Sequence, residues 1–350
     1  MVETENTNMM TQADIHPGNG PDRSGLRPSL DLIIPVYNEE AVLPRLLDEL
    51  REVFDDRRCR EAGLAQCRFI FVDDGSTDQS AMLLAASIRT GTMPGELVCL
   101  SRNFGHQSAI TAGLARSRAD LAAIIDADLQ DPPEVIYSML GQWRQGIDVV
   151  YGVRRKRKES WFKRLCYWSY YRLLAFLSET EVPLDSGDFC LMDRRIVGTL
   201  NALPEKLRFP RGLRSWVGFH QAGLEYERRA RQAGEVKYTV RKLYNLATHG
   251  IAAMSIRPLR LAQFLSFICA LLALAFFFLS LGKYLAYSSE AELALWFLMT
   301  YMLISLIAAL LFGVLYILGA YIGRMYLEVK GRPNYIVREI ITPDGTLRQD

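Results

Sequence analysis

Between Leu30 and about Arg231 the chain alternates short apolar runs with longer amphipathic stretches. Leu32-Ile33-Ile34-Pro35-Val36, Phe69-Ile70-Phe71-Val72, Leu97-Val98-Cys99-Leu100, Leu121-Ala122-Ala123-Ile124-Ile125 and Val149-Val150-Tyr151 are apolar throughout. Such runs suit strands buried on both faces, as in a parallel sheet. Between them Glu39 to Phe54, Thr77 to Ile88, His106 to Ser117 and Pro133 to Arg144 carry helix-like patterns. Repeated units of this length predict an α/β domain with a mostly parallel sheet.

The pattern then changes. Leu261 to Leu281 and Leu293 to Gly323 hold no charged residue. Each is long enough for a hydrocarbon core, which takes about 20 apolar residues. Arg257 and Arg260 precede the first stretch, and Arg324, Lys330 and Arg332 follow the second. The connector between them carries Glu290 and Glu292 against Lys283. The positive-inside rule therefore predicts a multi-pass protein with the α/β domain and both termini in the cytoplasm. Residues 1–28 are polar, lack the apolar core of a signal peptide and read as a disordered cytosolic tail. The expected organisation is this tail, an α/β domain over 29–231, juxtamembrane amphipathic helices over 232–258, two membrane helices over 259–323 and a cytosolic hairpin over 324–350. The hairpin is expected as strand Tyr326–Val329, turn Lys330–Pro333 and strand Tyr335–Val337. A lone hairpin is marginal in water, so it needs a partner element, a second subunit being one source and a homo-oligomer the result.

Composition adjusts this picture in two respects. A net charge of +2 excludes a global basic field, so nucleic acid is not an expected partner. The six cysteines, Cys59, Cys67, Cys99, Cys166, Cys190 and Cys269, show no metal-ligand spacing and read as reduced thiols.

Candidate chemistry sits where the strands end. In open parallel sheets ligands bind beyond the carboxyl ends of strands. The first strand runs into Tyr37-Asn38-Glu39, the second into Asp73-Asp74-Gly75-Ser76-Thr77-Asp78, and the fourth into Asp126-Ala127-Asp128-Leu129-Gln130-Asp131. Asp126 and Asp128 flank one alanine, so an extended chain turns both carboxylates to one side. Close carboxylates repel unless a cation lies by them, and hard oxygen ligands favour Mg²⁺ or Mn²⁺ holding a diphosphate. Asp131-Pro132-Pro133-Glu134 also reads as a helix start, with Asp131 as its cap. No GxGxxG follows the first strand, and no GxxxxGK[ST] occurs. Trp161 to Arg172 mixes aromatic and basic residues as an interfacial helix does, an amphipathic core helix being the alternative, while Arg154 to Lys158 is a basic run that suits a solvated face, donor diphosphate or anionic lipid.

Ile34 to Glu39, Val72 to Asp78, Ser101-Arg102-Asn103-Phe104-Gly105-His106 and Asp126 to Glu134 together resemble family 2 glycosyltransferases of the GT-A fold. The closest group is the bacterial polyprenyl-phosphate glycosyltransferases: undecaprenyl-phosphate glucosyltransferases, aminoarabinose transferases of lipid A modification and relatives of dolichol-phosphate mannose synthase. The resemblance covers roughly residues 30 to 340. It implies a membrane-bound inverting transferase that moves a sugar from a nucleotide donor, UDP-glucose being favoured, to polyprenyl phosphate. That activity belongs to cell-envelope work such as lipopolysaccharide modification at the bacterial inner membrane. By the same resemblance Pro35, Tyr37 and Glu39 line the nucleotide pocket, Asp73 contacts the base and Asp126 the ribose or diphosphate. Asp128, with Gln130, ligates Mg²⁺ or Mn²⁺, and Arg154 meets the donor. Asp188 and Arg211 are the catalytic candidates. Arg211, Arg228, Arg231 and Lys237 are candidates for the acceptor phosphate. Val236 stands where the family carries serine.

Two further classes share features of this sequence. A processive polysaccharide synthase would normally add QxxRW, whose nearest approach is Arg214-Ser215-Trp216 without the glutamine placement. A non-enzymatic flippase or scaffold would not need acidic strand ends. The charge flanks yield a direct prediction: tags at both termini are cytoplasmic and a tag near Ser288 is periplasmic. Protease access to the N-terminal domain from outside intact cells would refute it.

Overall fold

The computed structural model describes residues 21–154, 186–206, 208–229, 257–285 and 290–348. The chain divides into two compact units, one of Met1–Arg164, Val182–Lys237 and Pro333–Asp350, the other of Leu165–Glu181 and Tyr238–Arg332. Trp161 to Arg172, Arg155 to Lys158, Arg231, Lys237, Val236 and the juxtamembrane stretch up to 256 lie outside the described residues.

In the first unit the apolar runs become β1 (Ser29–Val36), β2 (Gln66–Asp73), β3 (Gly95–Leu100), β4 (Leu121–Ile124) and β5 (Val149–Arg154). Between them lie α1 (Leu43–Val53), α2 (Asp56–Glu61), α3 (Ser80–Arg89), α4 (His106–Arg116) and α5 (Val135–Arg144). Then come β6 (Ser186–Asp193), α6 (Arg194–Ala202), α7 (Pro210–Trp216) and β7 (Gln221–Tyr226). With β8 (Val337–Thr342) and β9 (Gly345–Arg348), the strands form one sheet in the order β7-β5-β6-β4-β1-β2-β3-β8-β9.

The sheet is mixed, which corrects the mostly parallel expectation. β1–β2, β1–β4, β2–β3 and β5–β7 pair parallel, whereas β4–β6, β5–β6, β3–β8 and β8–β9 pair antiparallel. Antiparallel β6 inserts between β4 and β5, and so its amino end lies at the edge where their carboxyl ends lie. Alternate side chains serve two cores. Leu32, Ile34, Phe69 and Phe71 join one with α1, α3 and α5; Ile33, Ile70 and Val72 join the other with α4, α6 and α7. Burial on both faces is why these runs show no polar alternation.

The C-terminal hairpin exists, displaced from its expected place. Tyr326–Val329 completes a helix, and Gly331 at φ +66° follows it, the position where a glycine ends a helix most easily. The strands are β8 and β9, turning at Pro343-Asp344, residues suited to a turn. β8 pairs with β3 of its own chain and buries Ile340 and Ile341.

Residues 21–28, read as part of the tail, contribute Arg23, which is 5% exposed. Its Nη2 donates to Asp148 Oδ1 at 2.6 Å, and its guanidinium lies 5.0 Å from the Trp143 ring centroid. Arg195 Nη2 also reaches Asp148 Oδ1 at 2.6 Å, and Asp193 Oδ2 accepts a hydrogen bond from Trp143 Nε1 at 3.1 Å.

The second unit holds α8 (Arg257–Leu285) and α9 (Glu290–Val329), in contact through Phe276 and Trp296 at 5.9 Å. Among the described residues one stretch, Met299–Val329 with mean hydropathy 2.5, is long and apolar enough to cross a membrane. The apolar part of α8, Phe267–Leu279, is shorter. The two-span expectation is thus matched by one candidate.

Arg23→Ala should lower stability by about 1–3 kcal/mol, the range for removing one partner from a buried polar pair whose other member keeps a second donor. Thermal denaturation of the purified protein beside Arg195→Ala measures this, and an unchanged midpoint would make the Arg23 contact incidental.

Candidate active site

Strand polarity assembles the site. The carboxyl ends of β1, β2, β4, β5 and β7 and the amino end of β6 share one edge of the sheet. Asp73, Asp126, Asp128, Arg154, Asp188 and Arg228 follow from that topology, and Arg211 joins them from the first turn of α7. Pro210 opens that helix at N1, where its fixed φ suits a helix start.

The loops at this edge hold one another. After β1, Asn38 Oδ1 accepts from Thr77 N at 2.8 Å, and Asn38 N donates to Ser76 Oγ at 3.0 Å. After β2, Asp73 is 1% exposed and its Oδ1 accepts from Ser76 N. Asp74 accepts from Phe104 N at 2.7 Å and Gly105 N at 2.9 Å. Burial pushes the Asp74 carboxyl up, against those two bonds. Gly75, at φ +69°, passes so near Arg102 that a Cβ would lie 2.5 Å from its carbonyl carbon. Asp74 and Gly75 thereby deliver Gly105 and the first turn of α4 to the site. Pro35 is buried within β1, Tyr37 is 45% exposed at its end, and Glu39 N donates to Ser80 Oγ.

After β4, Asp128 Oδ1 accepts from Gln130 N at 3.1 Å across Leu129, which is 1% exposed and stands at φ +58°. A bulky residue rarely takes that conformation, and such strain gathers at functional sites. Asp131 does not cap α5, whose first turn has no side-chain cap. It is buried, with Oδ1 accepting from the Tyr226 hydroxyl and from Arg228 Nε at 3.1 Å. Arg228 Nη2 lies 3.8 Å from Asp128 Oδ2, so this cation serves two carboxylates. Arg154 is half-buried. Burial opposes its charge, but Tyr226, Asp131 and Asp126 raise its pKa.

Asp188 forms the middle of the site. Gln107 Nε2 donates to its Oδ2 at 3.2 Å, and His106 Nε2 and Arg211 Nη2 each lie 3.4 Å from that oxygen. Burial works against ionisation, yet His106, Arg211 and Gln107 hold the carboxyl well below the usual range. His106 Nε2 also lies 3.5 Å from Asp126 Oδ1. Burial would lower the imidazole pKa, and Asp188 with Asp126 raises it. His106, Gln107, Asp74 and the Tyr226 hydroxyl were missed as site groups in the sequence. The one available signal was the Ser101–His106 motif ahead of a helix. Arg231 and Lys237 fall outside the described residues.

The donor set suits a divalent cation only in part. Among the described residues no three His, Cys, Asp or Glu side chains are grouped to hold a metal alone. Asp126 Oδ1 is nevertheless buried without a hydrogen-bond partner, and Asp128 stands two residues on. Mg²⁺ and Mn²⁺ are commonly held by one or two carboxylates plus substrate phosphates, which is the chemistry these residues fit.

Burial, then Asp131, Asp188 and Asp128, push the Asp126 carboxyl up to about 6, with His106 opposing. A folded pKa above the unfolded value means the ionised carboxylate costs stability above about pH 6. That cost is absent below about pH 4, where both states are protonated. In metal-free buffer Asp126→Asn should therefore stabilise the protein at pH 7.5. The side chain is 28% exposed, which limits the gain to about 1–2 kcal/mol. Denaturation midpoints from pH 4 to 8 follow it, and a gain that stays constant with pH would exclude titration of Asp126 as its origin.

Residues 31–200 match the family model described as "Glycosyl transferase family 2". The "Uncharacterized glycosyltransferase YkcC" of Bacillus subtilis (strain 168) is 40% identical over 311 residues, covering 88% of this chain and 93% of that protein. The "Prophage bactoprenol glucosyl transferase homolog" of Escherichia coli (strain K12) is 32% identical, covering 89% of this chain and 99% of its own. The "SfII prophage-derived bactoprenol glucosyl transferase" of Shigella flexneri is 32% identical, covering 89% and 97%. With its acidic edge on an α/β mixed sheet of the GT-A kind and relatives matched over nearly their whole length, the chain belongs to glycosyl transferase family 2 and is a glycosyltransferase.

Proposed function

We propose that this enzyme transfers a sugar from a nucleotide-diphosphate donor, UDP-glucose being favoured, to the phosphate of a polyprenyl phosphate such as undecaprenyl phosphate. Transfer inverts the anomeric carbon and takes place at the cytoplasmic face of a bacterial inner membrane, with the chain crossing twice. The observation that carries the reading is that His106 Nε2 lies 3.5 Å from Asp126 Oδ1 and 3.4 Å from Asp188 Oδ2, and Arg211 Nη2 3.4 Å from the same Asp188 oxygen, so acidic and cationic groups meet in one site. In this reading the carboxylates, with a cation, suit the donor diphosphate, and Arg211 suits a phosphate monoester. The bactoprenol in the names of two relatives supports the acceptor. A polyprenyl chain gains about 0.8 kcal/mol per buried CH₂, so a soluble donor must be brought to it at the bilayer.

In this reading Pro35, Tyr37, Glu39 and Asp73 border the nucleotide and Arg154 neutralises part of the diphosphate. Asp128 and Gln130, beside Asp126, hold Mg²⁺ or Mn²⁺, which when bound offsets negative charge on the departing nucleotide. Arg211 gives Nη2 to Asp188 and keeps a buried Nε without a partner, free for a phosphate oxygen. Arg228 already serves Asp131 and Asp128 and contributes less to the acceptor. Arg231 and Lys237, outside the described residues, stay acceptor candidates on the family resemblance alone. The phosphate monoester is mostly dianionic near pH 7, its second pKa being about 6, so attack needs little help from a base.

The test is a screen of nucleotide sugars against undecaprenyl phosphate with purified protein in detergent and Mg²⁺ or Mn²⁺. A single sugar on the lipid is expected. Asp128→Asn should reduce the rate at least about 100-fold with the fold intact, as removal of one transition-state stabiliser does. Undiminished activity in EDTA would remove the metal, and a growing polymer would replace single transfer with processive synthesis.

A further inference from the structure

The turn after β4 is gripped by the segment at the end of β7. The Tyr226 hydroxyl donates to Asp131 Oδ1, Arg228 Nε donates to the same oxygen at 3.1 Å, and Arg229 N donates to Gln130 O at 2.9 Å. Within the turn, Gln130 N donates to Asp128 Oδ1 at 3.1 Å across Leu129 at φ +58°. A bulky residue keeps that conformation only where its surroundings over-determine it. Part of that determination comes from β7.

Arg229 differs from its neighbours in where its side chain goes. Nη1 donates to Glu49 Oε1 on α1, and Nη2 donates at 2.6 Å to Oε1 of Glu134, the residue at the N-cap of α5. Both helices are fixed on one core, through Leu46 and Leu50 of α1 and Ile136 and Met139 of α5. With both terminal nitrogens given to carboxylates, this guanidinium is used within the protein and is poorly placed to take a phosphate. Its main-chain N–H meanwhile lies on the Gln130 carbonyl. One residue therefore joins α1, α5 and the turn. Sequence marks Arg228 and Arg231 for the acceptor phosphate and gives Arg229, between them, no task.

We propose that Arg229 is a positioning residue for the divalent cation: anchored by Glu49 and Glu134, it fixes Gln130 through its main-chain N–H and so sets the Asp128–Gln130 turn before metal and donor arrive. This rests on the reading of Asp128 and Gln130 as metal ligands and deepens it. Arg229 acts through the Gln130 carbonyl and touches neither metal nor donor. Groups that orient metal ligands in this way commonly govern metal affinity by about 10- to 100-fold. Exposed ion pairs contribute little to global stability. The Arg229 side chain is 37% exposed, that of Glu49 24% and that of Glu134 51%. Loss of the clasp should therefore register in metal affinity far more than in the melting temperature.

The experiment uses the full-length protein in detergent, with Mn²⁺ as the probe. Free Mn²⁺ is counted by electron paramagnetic resonance during titration at saturating UDP. UDP binding in EDTA and thermal midpoints are measured on the same samples. Arg229→Ala should weaken Mn²⁺ binding about 10-fold, while UDP affinity in EDTA and the thermal midpoint stay close to wild type. Arg229→Lys should regain part of the loss, since an ammonium cannot fork onto two carboxylates. Glu49→Gln combined with Glu134→Gln should reproduce the Arg229→Ala loss. Adding both to Arg229→Ala should weaken Mn²⁺ no further, as for groups that act through one another. Wild-type Mn²⁺ affinity in Arg229→Ala overturns the proposal. So does a loss of UDP affinity in EDTA equal to the loss for Mn²⁺, which would make Arg229 a donor contact, and so does a loss that the double Glu variant does not share. The metal reading fails separately. If wild type binds no Mn²⁺, or Asp128→Asn binds it as well as wild type, that reading falls and the proposal with it. If Asp128→Asn loses Mn²⁺ while Arg229→Ala keeps it, the positioning role alone falls.

Discussion

Crowding of carboxylates at one sheet edge governs the rest of this site. Asp73, Asp126, Asp128, Asp131 and Asp188 come together because β1, β2, β4 and β5 run one way and β6 runs the other. Their mutual repulsion has to be offset from within the protein. Arg228 bridges Asp131 and Asp128, His106 lies between Asp126 and Asp188, Arg211 flanks Asp188, and Arg154 leans on Tyr226. Each cation comes from a different element, so the edge is charge-balanced only when β5, β7, α4 and α7 are all docked. Site assembly and folding of the first unit are one process.

The offset is uneven, and the unevenness divides the labour. Asp188 has three partners and remains ionised; Asp126 has one and is pushed up to about 6. Two carboxylates about one histidine away from each other thus differ in charge tendency through environment alone. Asp126 Oδ1 has no hydrogen-bond partner, and its nearest cation is His106 Nε2 at 3.5 Å. Asp188 is preset without any cation. That contrast favours a donor whose charge completes the site.

Much of the fold was legible because a strand buried on both faces reads as a solid apolar run, and β1 to β5 are of that type. The antiparallel β6 was not legible. Its Ser186-Gly187-Asp188 start is polar because it belongs to the site. The hairpin was misplaced because Tyr326–Val329 is β-branched and aromatic enough to pass for a strand, while the helix runs on to Gly331. Arg23 was lost in a polar tail because an ion pair spanning about 125 residues leaves no local trace. In the site, Asp126 and Asp128 were legible as acidic residues at a strand end, whereas Asp188 and Arg211 came only from the family resemblance. His106 and Gln107 were not legible, since nothing in Phe104-Gly105-His106-Gln107 states that Asp74 turns that helix toward β6.

Two of the three non-glycine residues at positive φ among the described residues stand on the same edge as the charges. Leu129 and Asn38 stand at φ +58° and φ +55°, and Gly75 occupies a space with no room for a Cβ. Left-handed backbone at a bulky residue costs about 1–3 kcal/mol. Relaxing Leu129 to an ordinary conformation would separate Asp128 Oδ1 from Gln130 N and swing the carboxylate off the edge. The opposing term comes from the two cores beneath: Leu32, Ile33, Ile34, Phe69, Ile70 and Phe71 are at most 2% exposed. Each such side chain contributes about 1.5–3 kcal/mol on burial, so a few of them offset the strain of the whole rim. The rigid apolar strands hold the loops where the chemistry needs them, and the loops have no comparable freedom to relax.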